Sequence, residues 1–199
     1  MKNIILLFLG DFYSDARCIN MSLSIIKSNN FNLSVLSTSD VNEYPVKIFV
    51  MGENKWRNEK EWPLKRTQYV NYYFHSNGNA NSNMTEGILN TTLPQSEPND
   101  RYAYDPMNPV PTIGGSLCCD TTHMPGGPYD QRPLESRNDV LIYTTETLTE
   151  DIEVTGRIII NLWASSSALD TDFTGKLVEV TPCGYAKNLQ DGIIRARYR

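Results

Sequence analysis

From Asn3 to Phe8 the chain is apolar almost without a break, the pattern of a strand covered on both faces. A longer period follows. Between Asp15 and Asn29, Ala16, Ile19, Met21, Leu23 and Ile26 recur at roughly helical spacing, and Asn29-Asn30 suits a helix stop. Asn32 to Ser37 then alternates and is rich in β-formers. Strand, helix and strand in sequence predict one βαβ unit with parallel pairing.

Beyond Tyr44-Pro45 the pattern changes to short strands with frequent turn residues. The predicted strands are Val46 to Met51, Gln68 to Phe74, Gly87 to Thr91, Val140 to Thr144, Leu148 to Val154, Ile158 to Ala164, Phe173 to Val180, Tyr185 to Asn188 and Ile193 to Tyr198. Between them lie Asn77-Gly78, Asp105-Pro106, Gly114-Gly115, Pro125-Gly126-Gly127-Pro128 and Pro182-Cys183-Gly184. Such spacing argues for an antiparallel sandwich or jelly roll. Within Phe173 to Val180, Phe173, Leu177 and the valines supply apolar positions, while Thr174, Lys176 and Glu179 are polar, as in a half-buried strand. The fold class is therefore mainly β, with two expected parts: a βαβ stub over 1–44 and a β-sandwich over 45–199. The stretch from about Pro94 to Arg137 has no strand pattern, and so long a loop in a sandwich is usually functional or covers something.

Composition narrows the class. The chain has 199 residues, 40% of them hydrophobic and 21% charged, with a net charge of −5. Those values describe a globular chain rather than a disordered one, and the mild acidity argues against a nucleic-acid surface. No apolar run approaches the ~20 residues that cross a bilayer, and the run ending at Gly10-Asp11 is shorter than a signal-peptide core. Cys18, Cys118, Cys119 and Cys183 form no C-x-x-C pair, which suits free thiols in a reducing compartment. The expectation is a cytoplasmic protein without a cofactor.

Candidate chemistry is sparse. A nucleophile elbow needs Gly-x-Ser-x-Gly to expose its serine on a strained turn, and the chain has no such pattern. Only His75 and His123 are available as a histidine base. His75 falls at a strand end before Ser76-Asn77 and reads as a turn or surface histidine. Cys118, Cys119, Asp120 and His123 lack the C-x₂₋₄-C spacing of a zinc site, so no metal is expected. Asp170 and Asp172 resemble a pair of catalytic carboxylates. They read better as structural acids at a strand start, accepting backbone N–H bonds in a turn. Ser165 to Ser167 read as small residues at a strand end, Trp56, Trp62 and Trp163 as packing anchors, and the charges from Glu53 to Lys60 as a solvated loop.

The segment SSSALDTDFTGKLVEV, followed by DGIIRARYR, resembles the C-terminal jelly-roll domain of CocE/NonD serine hydrolases, a group that includes X-Pro dipeptidyl-peptidase-like proteins. Further landmarks occur in order: VKIFVMGENKWRNEKEWP, YYFHSNGNAN, YDPMNPVPTIGG and DQRPLESRNDVLIYTTETLTEDIEVTG. The resemblance covers 45–199. FLGDFYSDARCINM resembles, over a short stretch, the start of GT-B glycosyltransferases.

The resemblance implies an X-Pro dipeptidyl-peptidase C-terminal-like, galactose-binding-like fold. Its partner would be an α/β-hydrolase domain that carries the Ser/Asp/His triad and is absent from this chain. It also implies that Leu117, Cys118 and Cys119, in the loop after Gly114-Gly115, help wall an acyl pocket. The family often places bulky apolar residues there, so the two cysteines depart from it. On this reading the chain alone is inactive. The jelly roll of the family also continues past RARYR, which makes this one incomplete. Each strand buries about three side chains at ~1.5–3 kcal/mol, so two missing strands would remove as much as a typical net stability of ~5–15 kcal/mol. Self-association through open sheet edges is then expected. Two other readings remain open: a stand-alone carbohydrate- or ligand-binding β-sandwich, and an inactive glycosyltransferase–hydrolase fusion fragment.

Overall fold

The computed structural model describes residues 2–8, 31–37, 46–81, 87–116, 122–123 and 125–198, the first two stretches by their backbone alone. The chain divides into two compact units, Met1–Gln68 with Val154–Gly156, and Tyr69–Glu153 with Arg157–Arg199. The described elements are nearly all strands, so the chain is mainly β. Among the described residues no helix is long and apolar enough to cross a membrane.

In the first unit, β1 (Lys2–Phe8) and β2 (Phe31–Ser37) pair in parallel, Lys2 opposite Phe31 and Phe8 opposite Ser37. The helix expected from Asp15 to Asn29 lies outside the described residues. β3 (Val46–Val50) and β4 (Lys55–Glu59) form an antiparallel hairpin in which Phe49 faces Trp56.

β4 overturns one expectation, because the charged run is a strand and not a solvated loop. Pairing with β3 satisfies one edge of its backbone, and its one buried side chain, Glu59, is an acid held by two guanidinium groups. Arg57 Nε lies 2.7 Å from Oε1, and Arg66 Nη1 donates to Oε2 at 2.8 Å. The Arg66 bond, followed by Arg57, holds the Glu59 carboxyl below its ordinary value against the opposing effect of burial. Trp56 and Trp62 are exposed rather than anchored in a core. Trp56 meets Phe49 edge-on, with centroids 5.4 Å apart, and the Lys47 ammonium sits 5.3 Å from its ring.

In the second unit, β5 (Tyr73–His75) and β6 (Ile88–Asn90) pair antiparallel, Tyr73 opposite Asn90. The strand expected from Val140 to Thr144 contracts to a single parallel bridge between Thr144 and Ile88. Leu89 N–H donates to Thr144 O, and Thr144 N–H donates to Gly87 O, both at 3.0 Å. β7 (Asp172–Val180) and β8 (Ala186–Arg195) form the longest hairpin, with a register shift between Leu177 and Val178. Its turn is closed by Gly184 N–H donating to Thr181 O at 2.8 Å. The two strands expected over Tyr185 to Tyr198 are one strand ending in a 3₁₀ turn, Ala196–Tyr198.

The stretches Leu148 to Val154 and Ile158 to Ala164 are not strands. A β pattern marks side chains that favour burial, but a ladder also needs a neighbour for each backbone group. Ile158, Ile159, Ile160 and Leu162 are about half exposed, and Trp163 and Leu169 fully so. Trp163 is therefore no packing anchor either. The buried apolar side chains of this unit, among the described residues, are Ala80, Leu134 and Ala186. Leu134 sits on a single helical turn, α1 (Arg132–Glu135).

Candidate functional site

Leu117, Cys118 and Cys119 lie outside the described residues, as does Asp120. The base of their loop is described, and it is closely built. Gly115 and Gly127 exchange both backbone hydrogen bonds, Gly115 N–H to Gly127 O at 2.8 Å and Gly127 N–H to Gly115 O at 3.0 Å. Both glycines before the loop are required by torsion, and Gly114 also by the backbone packed against it. A Cβ on Gly114 (φ 67°) would lie 2.4 Å from Gly127 O, and one on Gly115 (φ 88°) would lie 2.1 Å from Asp191 Oδ2.

Asp130, Gln131 and Arg132 tie this base to β8. Gln131 N–H donates to Ala186 O at 2.8 Å, and Asn188 N–H donates to Tyr129 O at 3.1 Å. The Gln131 side chain is 2% exposed. Its Nε2 donates to Ile113 O at 3.0 Å and to Tyr129 O at 2.9 Å, which clamps both strands of the loop base. Its Oε1 accepts from Lys176 Nζ at 2.6 Å. Lys176 stands opposite Asp191 in the ladder; burial pulls its pKa down while Asp191 opposes that shift. Asp130 receives the Arg132 guanidinium at 2.8 Å and the Ala186 N–H at 3.3 Å, and the Arg132 bonds hold its carboxyl below the ordinary value. Asn188, 3% exposed, has no hydrogen-bond partner among the described residues for either side-chain amide atom. The sequence reading missed Gln131, Lys176 and Asn188. The signal available was the polar pair Asp130-Gln131 directly before Arg132-Pro133, and a lysine inside an otherwise half-buried strand.

A second polar cluster surrounds the end of β5. His75 Nδ1 lies 2.7 Å from Glu97 Oε1, and Nε2 lies 2.9 Å from Thr92 O. Ser76 Oγ donates to Asp100 Oδ1 at 2.7 Å, Ala80 N–H donates to the same oxygen at 2.9 Å, and Tyr143 OH donates to Oδ2 at 2.6 Å. Burial alone would raise the Asp100 carboxyl, but these three donors outweigh it and hold the pKa low. Burial and the Asp100 contact push the Tyr143 phenol well up. Both ring nitrogens of His75 are engaged and the Ser76 hydroxyl faces Asp100, so these adjacent residues do not form a nucleophile–base pair.

The remaining candidates are placed as follows. Asp172 takes the Arg195 guanidinium in two bonds, 2.8 and 3.1 Å. Asp170 accepts the Arg197 backbone N–H at 3.2 Å and its guanidinium as well. Of Cys118, Cys119, Asp120 and His123 only His123 is described, and no group of three metal-ligating side chains occurs among the described residues.

Residues 40–199 match the family described as the X-Pro dipeptidyl-peptidase C-terminal non-catalytic domain. The chain belongs to that family. Its sandwich fold agrees with the strand-rich chain described above. Cocaine esterase of Rhodococcus sp. (strain MB1 Bresler) is 49% identical over 154 residues, 77% of this chain and 26% of the esterase. Two proteins named as serine esterases, from Mycobacterium bovis and Mycobacterium tuberculosis, are each 27% identical over 164 residues, 79% of this chain and 23% of their own length. The chain thus spans about a quarter of the curated relatives it matches. The match makes it the C-terminal non-catalytic domain of a CocE/NonD-type protein.

Proposed function

We propose that this C-terminal domain serves a serine hydrolase acting on esters or amides. An α/β-hydrolase domain carries the nucleophile, and the loop rising from Gly115 and Gly127 walls the acyl pocket. The observation that supports this reading most is the construction of the loop base. Two glycines hold left-handed backbone that a side chain would strain, and Gln131 clamps both strands to β8, so the loop leaves from a fixed origin. Pocket walls need such rigid support, since a small displacement of a positioning element costs rate steeply. Cys118 and Cys119 are smaller than the bulky apolar residues of the family, and the pocket they wall takes a larger acyl group.

The test is a chimera in which residues 40–199 replace the matching stretch of the Rhodococcus esterase. It should hydrolyse p-nitrophenyl esters, and the double change Cys118→Leu with Cys119→Phe should favour acetate over benzoate. A pocket distinguishes one methylene by about 10- to 200-fold, which sets the expected scale of the change in the kcat/KM ratio. An active chimera whose acyl preference ignores both substitutions would remove the loop from the pocket.

A further inference from the structure

We propose that His75 and Glu97 form a proton-operated latch at the end of β5, closed while His75 is an imidazolium and loosened when it loses its proton. This goes beyond the acyl-pocket reading and does not depend on it.

Each ring nitrogen of His75 faces an oxygen acceptor. Nε2 faces the Thr92 backbone carbonyl at 2.9 Å, and a carbonyl oxygen can only accept. Nε2 must therefore carry a hydrogen. In a neutral imidazole Nδ1 would then present a lone pair to the Glu97 carboxylate oxygen 2.7 Å away. The other neutral tautomer satisfies Glu97 but sets a lone pair against the Thr92 carbonyl. Only the doubly protonated ring satisfies both neighbours at once.

The surroundings favour that state. The His75 side chain is 14% exposed. Around it stand the Glu97 carboxylate and Thr92 O from the segment after β6, and the Asn90 side chain from β6 itself. Asp100 adds a second negative charge that acts on Glu97. Glu97 is held in place from its other oxygen by the Ser76 N–H at 3.1 Å. The Glu97 hydrogen bond raises the His75 pKa above its ordinary value, burial opposes it, and the Thr92 and Asn90 bonds add to the rise. The same contact lowers the Glu97 carboxyl.

The pH window follows from those directions. The stabilisation contributed by His75 is fully present below the unfolded histidine value of about 6.5 and is lost as pH rises through the raised folded value. The contribution of Glu97 is present above about 4.3 and is lost as pH falls through its lowered folded value. The latch is therefore closed in mildly acidic solution, between the two unfolded values. It loosens on the alkaline side, where the neutral ring keeps only one of its two bonds to Thr92 and Glu97. The neighbouring Asp100 contacts to Ser76, Ala80 and Tyr143 do not involve the imidazole and persist.

Diethyl pyrocarbonate carbethoxylates only neutral imidazole, and mass spectrometry reads the product residue by residue at sub-micromolar concentration. The rate at His75 in the full chain is measured against pH, beside the same chain in urea and a Glu97→Gln variant. The expected result is a His75 midpoint above that of the urea-unfolded chain, brought down by Glu97→Gln. Amide exchange at Ser76, normalised for intrinsic rates, should rise across the same midpoint. A native His75 midpoint equal to or below the unfolded one overturns the proposal, and so does a midpoint that Glu97→Gln leaves in place.

Discussion

Gln131→Leu should loosen the loop base sharply, and Asn188→Leu, on the strand that the base is tied to, should not. Gln131 makes three side-chain hydrogen bonds from a buried position, two to carbonyls and one from the Lys176 ammonium. The neutral bonds contribute about 0.5–1.5 kcal/mol each and the charged one about 1.5–3 kcal/mol. Tyr129 O keeps the Asn188 N–H and Lys176 still faces Asp191, which brings the expected loss down to about 2–4 kcal/mol. At 1.4 kcal/mol per decade that is about 30- to 700-fold faster hydrogen exchange at Gly115 and Gly127, up to the rate of an unfolded chain. Asn188 buries an amide with no partner among the described residues, so an apolar side chain of similar size replaces a cost rather than a contact. Exchange in Asn188→Leu should stay within about threefold of the parent or slow down. Residue-resolved exchange by NMR, or by mass spectrometry with electron-transfer fragmentation, reads both glycines. If Gln131→Leu leaves them unchanged, or Asn188→Leu accelerates them equally, the clamp is not what holds the loop base.

Two further outcomes follow from the geometry. Asp100→Asn removes the charge that three donors share and should cost about 1.5–3 kcal/mol in a denaturant midpoint. It should also bring the Tyr143 phenol back toward its ordinary titration near pH 10, seen as earlier ionisation at 295 nm. The exposed apolar run ending in Trp163 and Leu169 should make the isolated chain bind 8-anilinonaphthalene-1-sulfonate and self-associate, and Trp163→Ser with Leu169→Ser should reduce both; a monomer of 22.6 kDa with a cooperative melt above ~50 °C and no dye binding contradicts this.

Local patterns disclosed much of the fold. The alternation in Phe173 to Val180 places β7 within a residue, and the short β-rich runs at Val46 and Gly87 place β3 and β6. The failures share a cause. Ile158 to Ala164 has a strand's composition and no ladder, because side-chain period reports a wish for burial and not the presence of a neighbour. β4 was hidden because its charges disguise a strand whose backbone is paired and whose buried side chain is an acid between two arginines. At the site, the paired glycines marked the loop base directly. Its clamp was not legible, since Gln131 and Lys176 stand 45 residues apart and meet only through the hairpin. The same holds for His75 and Glu97, 22 residues apart.

The central claim is that this chain is a non-catalytic module, and active-site labelling tests it most directly. The purified chain is incubated with a fluorophosphonate and with p-nitrophenyl acetate, and labelled serine and released nitrophenol are quantified together. The account predicts no labelled serine and no turnover above that of the heat-denatured chain. Stoichiometric labelling of one serine with matching loss of turnover would contradict it.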